Sequence, residues 1–164
     1  MRKEKGFSLV ELLVVVAIIL IIAAIAVPSF IRSRMAANEA SAVGSLRNIS
    51  TAEVTYSSTY PTIGFAPDLN TLGPGPGGIA SSSNAQMLDS VLGCAAGVGT
   101  GSCLKSGYNF SITAGVGVPL GSYSVNANTV TLGQTGQRYF YTDGSGLIRY
   151  NTSAIATVAD QPIQ

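Results

Sequence analysis

Glu11 is the one ionisable side chain in the run Phe7–Val27, where Ser8 is the only other polar residue. A carboxylate at that depth in a bilayer costs about 2.5–3.5 kcal/mol on insertion scales, which neither a plain anchor nor an export signal has reason to carry. The chemistry open to it is pairing with a cation brought alongside, because a partner recovers most of what burial of a lone charge loses. Catalysis is not expected. The 164 residues include no His, two Cys and only eight Asp and Glu. That removes imidazole general bases, Ser–His and Cys–His nucleophile pairs and the usual zinc ligand sets. No cofactor or metal is expected, and a net charge of +1 offers no basic field to a nucleic acid.

The element that must position Glu11 is FSLVELLVVVAIILIIAAIAV, 21 residues. As a helix it spans about 31 Å, close to the hydrocarbon thickness of a bilayer. Ahead of it stand Arg2, Lys3, Glu4 and Lys5. This basic head favours the cytoplasmic side and puts the bulk of the chain across the membrane, although Arg32 and Arg34 on the far side oppose that bias. Three readings fit the segment: a signal peptide cut near Ala24-Ile25-Ala26, a permanent anchor, or a helix that leaves lipid to pack against copies of itself. The pattern does not stop at residue 26. Ile31, Met35, Val43, Leu46, Ile49 and Tyr56 recur at helical spacing and predict an amphipathic stripe to about residue 57.

Gly6-Phe7-Ser8-Leu9-Val10-Glu11, followed by the apolar run and Pro28, resembles the N-terminus of type IV pilin and type II secretion pseudopilin precursors. The resemblance covers about the first 57 residues, with overall layout alone beyond them. It implies a leader over 1–6, cleavage between Gly6 and Phe7 by a prepilin peptidase and N-methylation of Phe7. It also implies an assembly role for Glu11, fifth residue of the mature chain, facing the first-residue amine of a neighbour. The implied fold is α+β: a long N-terminal helix whose N-terminal half is apolar and protruding, packed against an antiparallel sheet. The implied partners are further copies in a helical homopolymer, an inner-membrane platform protein and an assembly ATPase. The implied location is the inner membrane as a single-pass precursor, then an extracellular pilus or a periplasmic pseudopilus. Many pilins have Gly where this chain has Leu20, which favours helix over glycine by about 0.6–1 kcal/mol and argues against unwinding over 20–28. Pro28 has no N–H to give the Ala24 carbonyl, so a kink is expected there.

The remainder divides into a connecting region over 58–106 and a sheet region over 107–164, after the leader (1–6) and the helix (7–57, with 7–27 the membrane and filament segment). Ser57-Ser58-Thr59-Tyr60-Pro61 stops the helix. Residues 62–81 read as irregular, with Gly73–Gly78 the least structured, and Ser82–Leu92 as a short helix. Cys94 and Cys103, which enclose eight residues on the oxidising side of the membrane, read as a disulfide, with Gly97–Gly101 between them a flexible loop. From residue 107 the period becomes two. Tyr108, Phe110, Ile112 and then Tyr123, Val125, Ala127 alternate with polar residues, and Arg138–Thr142 with Leu147–Tyr150 reads as a hairpin about Asp143-Gly144-Ser145-Gly146. Three or four strands with one apolar face need a cover, and the helical stripe supplies it.

The residues alone leave two rivals to a pilus subunit. A pseudopilin would ordinarily carry clustered acidic residues in a C-terminal calcium loop, whereas the tail 151–164 offers only Asp160. A secreted or membrane-anchored binding module would use the N-terminus merely as a signal.

Overall fold

The computed structural model describes residues 8–75, 78–94 and 102–163. The chain forms two compact units, Met1–Arg34 and Met35–Gln164. A single helix, α1 (Leu9–Thr59, 51 residues), runs through both and is uninterrupted at Leu20 and at Pro28. In the first unit its large apolar side chains lie open, Leu9 at 78% and Ile25 at 73% exposure. This stretch is long and apolar enough to cross a membrane. Its run of Val and Ile favours helix only weakly in water, but in lipid the backbone must satisfy its own hydrogen bonds and a helix does so.

In the second unit α1 is amphipathic. Met35, Ala42, Leu46, Ile49, Ala52 and Tyr56 are buried, and Val43 packs at their margin. Ile31, in the first unit, is exposed and does not join them. The last turns are laced by hydroxyls bonding back one turn, Thr51 to Arg47, Thr55 to Thr51 and Thr59 to Thr55. A short helix α2 (Leu69–Leu72) follows, capped by Asp68, whose carboxylate accepts the Thr71 N–H at 2.8 Å.

The sheet has six antiparallel strands in chain order: β1 (Ser102–Lys105), β2 (Tyr108–Ala114), β3 (Tyr123–Thr129), β4 (Tyr139–Asp143), β5 (Arg149–Asn151) and β6 (Gln161–Pro162). The period-two reading is borne out. Tyr108, Phe110, Tyr123, Val125, Ala127 and Phe140 point inward and join the α1 stripe in one core. Register places Phe110 opposite Ala127 and Ala127 opposite Phe140, so each large ring meets a small neighbour across the ladder. The β4–β5 hairpin forms as read, with Phe140 opposite Tyr150. Its turn is held by Asp143, whose carboxylate accepts the Ser145 N–H at 2.9 Å and hydroxyl at 2.6 Å.

Further expectations need correction. Residues 62–81 read as irregular but hold α2. The sheet has more than the three or four strands expected, because β1 and β6 are too short to show a period. Ser82–Leu92 is not a helix. Its amides point back at α2 and its exit: Ala85 N–H to Thr71 O, Gln86 to Gly73 O, Met87 and Leu88 to Leu72 O. Gln86, at φ 55°, sits in the left-handed region, which breaks any helical run. Leu88 and Leu92 are buried all the same, whereas Val91 is exposed.

Glu39, on the buried face of α1, ties that helix to the strand edge. Its carboxylate accepts the Gln137 N–H at 2.8 Å and pairs with the Arg138 guanidinium at 2.8 and 2.7 Å. Arg138 in turn lies 5.4 Å from the ring centroids of both Phe140 and Tyr150. Replacing Glu39 by Ala strands a part-buried N–H and a guanidinium that keeps some water, so Glu39→Ala is expected to cost about 2 kcal/mol. A lowered chemical-denaturation midpoint checks it, and an unchanged one contradicts the tie.

Candidate functional site

The site is the start of α1. Ser8 is the residue before its first turn, and its carbonyl accepts the Leu12 N–H at 3.3 Å. Glu11 stands three residues on, and its carboxylate Oε2 accepts the Ser8 N–H at 2.9 Å. This is one arm of a capping box: an acidic side chain in the first turn satisfies an orphan amide and sits favourably in the positive end of the helix dipole. The Ser-x-x-Glu spacing of Ser8-Leu9-Val10-Glu11 announces such a cap, and that signal was legible beside the apolar run. The cap engages one oxygen of a group able to accept at two. Around Glu11 the side chains of Leu9, Val10, Leu12 and Leu13 are all exposed. A carboxylate thus stands on an uncovered apolar rod.

The other expected site residues fall as follows. Gly6 and Phe7, the expected cleavage pair, lie outside the described residues, as does the loop Gly97–Gly101. Pro28 is inside α1. Cys94 and Cys103 form a disulfide with Cα atoms 5.4 Å apart. It joins the segment after α2 to β1. Among the described residues, no three His, Cys, Asp or Glu side chains gather as a metal would need. Asp160, the lone acid of the tail, is spent on its own turn, accepting from Asn151 Nδ2 at 2.7 Å and Thr157 N–H at 2.6 Å. The Thr157 amide holds its carboxyl below the usual carboxylate range.

Residues 1–27 match the family model described as the prokaryotic N-terminal methylation motif. The chain carries a prokaryotic N-terminal methylation motif. The resemblance read from Gly6 to Glu11 is borne out by it, and the similar proteins agree. The type IV major pilin protein PilA of Myxococcus xanthus is 40% identical over 73 residues, spanning 40% of this chain and 33% of that protein. The type IV wide pilus major component PilA4 of Thermus thermophilus is 51% identical over 39 residues, 24% of this chain and 30% of that protein. The chain thus spans about a third of the length of the curated relatives it matches. No solved structure matches.

The cap separates two properties of Glu11 that a single deletion would confuse. Glu11→Gln keeps an oxygen for the Ser8 amide and loses the charge; Glu11→Ala loses both. In detergent micelles, Ser8 amide exchange is expected to quicken several-fold in Glu11→Ala, for about 0.5–1 kcal/mol of lost capping, and little in Glu11→Gln. Equal exchange in all three proteins would show that the cap does not form.

Proposed function

We propose that this chain is the structural subunit, the pilin, of a type IV pilus. The observation that carries the reading is the methylation motif over residues 1–27, set at the head of a helix whose large apolar side chains are exposed. A peptidase cuts the leader 1–6 after Gly6, and Phe7 becomes the methylated first residue. Residues 7–27 hold the precursor in the inner membrane and then exchange lipid for the same segment of neighbouring copies. Van der Waals packing of Leu, Ile and Val replaces acyl chains at little net gain, so alignment must come from elsewhere. Glu11 supplies it. A neighbour's Phe7 amine beside the carboxylate relieves both charges, and an axial slip strands both. Pro28 serves as the point where the rod bends. The sheet-bearing unit, closed by the Cys94–Cys103 disulfide, faces outward along the filament. A platform protein and an assembly ATPase drive polymerisation, and the chain itself performs no catalysis.

That both named relatives are pilus major subunits favours a pilus over a type II secretion pseudopilus. A secreted module is the reading furthest from these observations, since it discards the motif at export.

Mass spectrometry of the mature protein is expected to find N-methylated Phe7 at the start. In sheared cells, Glu11→Ala is expected to leave membrane insertion intact and to cut filament yield at least tenfold. A mature chain beginning at Val27, or full filament yield from Glu11→Ala, would overturn the proposal.

A further inference from the structure

Glu53 is fully buried on the inner face of α1 and has no cationic partner among the described residues. Its Oε2 accepts the Ala66 N–H at 2.8 Å, and its Oε1 has no hydrogen-bond partner. An ionised carboxylate in that position would be held by one amide alone, which repays only part of the cost of leaving water. The groups facing it add no compensation. Tyr56, a turn further along α1, and Tyr123 of β3 both feel its charge unfavourably, and the other acids that act on those two tyrosines are Asp68 on Tyr56 and Asp143 on Tyr123.

What Glu53 holds is a strap, Tyr60–Ala66, that leaves the end of α1. The strap is tied onward to the loop between β2 and β3: Leu120 N–H bonds Ile63 O at 2.7 Å, and Phe65 N–H bonds Leu120 O at 3.1 Å. Gly64, at φ 86°, permits the close approach, since any Cβ there would strike the Leu120 backbone. Phe65 stacks on Tyr123 with ring centroids 4.8 Å apart. The loop so held ends in Val116 and Val118, which are 98% and 91% exposed. One buried carboxyl therefore anchors a strap, and the strap anchors an exposed loop.

We propose that Glu53 is a proton-operated latch: while its carboxyl is neutral the Tyr60–Ala66 strap stays closed on α1, and ionisation opens the strap and the Gly115–Ser122 loop tied to it. Burial pushes the Glu53 carboxyl up from 4.5 to about 7, against the smaller lowering effect of the Ala66 amide. An acid whose closed-state pKa is raised favours the closed form fully below its open-state value and loses that advantage as pH rises to the closed-state value. Closure is thus tightest at mildly acid pH, weakens between about 4.5 and 7, and is constant above.

The test is amide exchange by NMR on the full chain in detergent micelles from pH 4.5 to 8, read as protection factors for Phe65, Ala66 and Leu120. Wild type is expected to lose protection about tenfold per pH unit up to about 7, roughly a hundredfold in all, and then level off. Glu53→Gln keeps an acceptor for Ala66 and carries no titrating group, so its profile is expected to be flat. Should that variant not fold, the carbon-13 titration of the Glu53 carboxyl in wild type decides the matter. A midpoint near 7 supports the latch. A midpoint near 4.5, a flat wild-type profile, or the same slope in Glu53→Gln overturns it.

Discussion

A charge taken out of water must be compensated where it lands, and α1 faces that constraint at each of its three carboxylates. Glu39 meets it with a guanidinium and a backbone amide together, which makes a tie between helix and strand. Glu53 has one amide and, among the described residues, no cation, so the neutral acid is the favoured form in the closed fold. Glu11 has the Ser8 amide and the positive end of its own helix, enough for an isolated chain and too little for an apolar core. The same side chain type thus becomes a strut, a latch and an unfinished pair. What differs is the neighbourhood the sequence supplies.

The two units of the chain solve the burial of apolar surface in different ways. From Met35 onward α1 has a partner inside the chain, the inward faces of β2, β3 and β4, and their buried side chains share one core. Before that, the large apolar side chains from Leu9 to Phe30 are exposed. Exposed apolar surface on this scale marks a place where lipid or protein sits. On the function proposed above it meets both in succession, first membrane, then like segments. Physical chemistry alone asks only for a cover; the motif says which one to look for.

Much of this architecture was legible in the residues because it follows from period. Spacings of three and four from Met35 to Tyr56 set one helix face, and alternation from Tyr108 to Ile112 and from Tyr123 to Ala127 set the sheet. Where the residues misled, long-range hydrogen bonding decided. Ser82–Leu92 opens on Ser82, Ser83 and Asn84, residue types that cap helices, and carries apolar residues at helical spacing, yet its amides go to carbonyls of α2 and its exit that no local pattern reveals. Glu39 and Glu53 sit on the apolar stripe and read as interruptions of it. Their partners, Gln137, Arg138 and Ala66, are distant or unpatterned in sequence. The Ser8–Glu11 cap was readable from spacing and lay hidden behind the more conspicuous oddity of an acid in an apolar run.

Assembly, as proposed, depends on Glu11 finding its second partner in another copy of the chain. A high-resolution structure of filaments sheared from cells measures this directly. The Glu11 carboxylate is expected within about 4 Å of the α-amine of Phe7 in an adjacent subunit, inside a core of packed 7–27 segments from which lipid is gone. A filament in which Glu11 meets only its own chain, with those segments splayed apart, would contradict it.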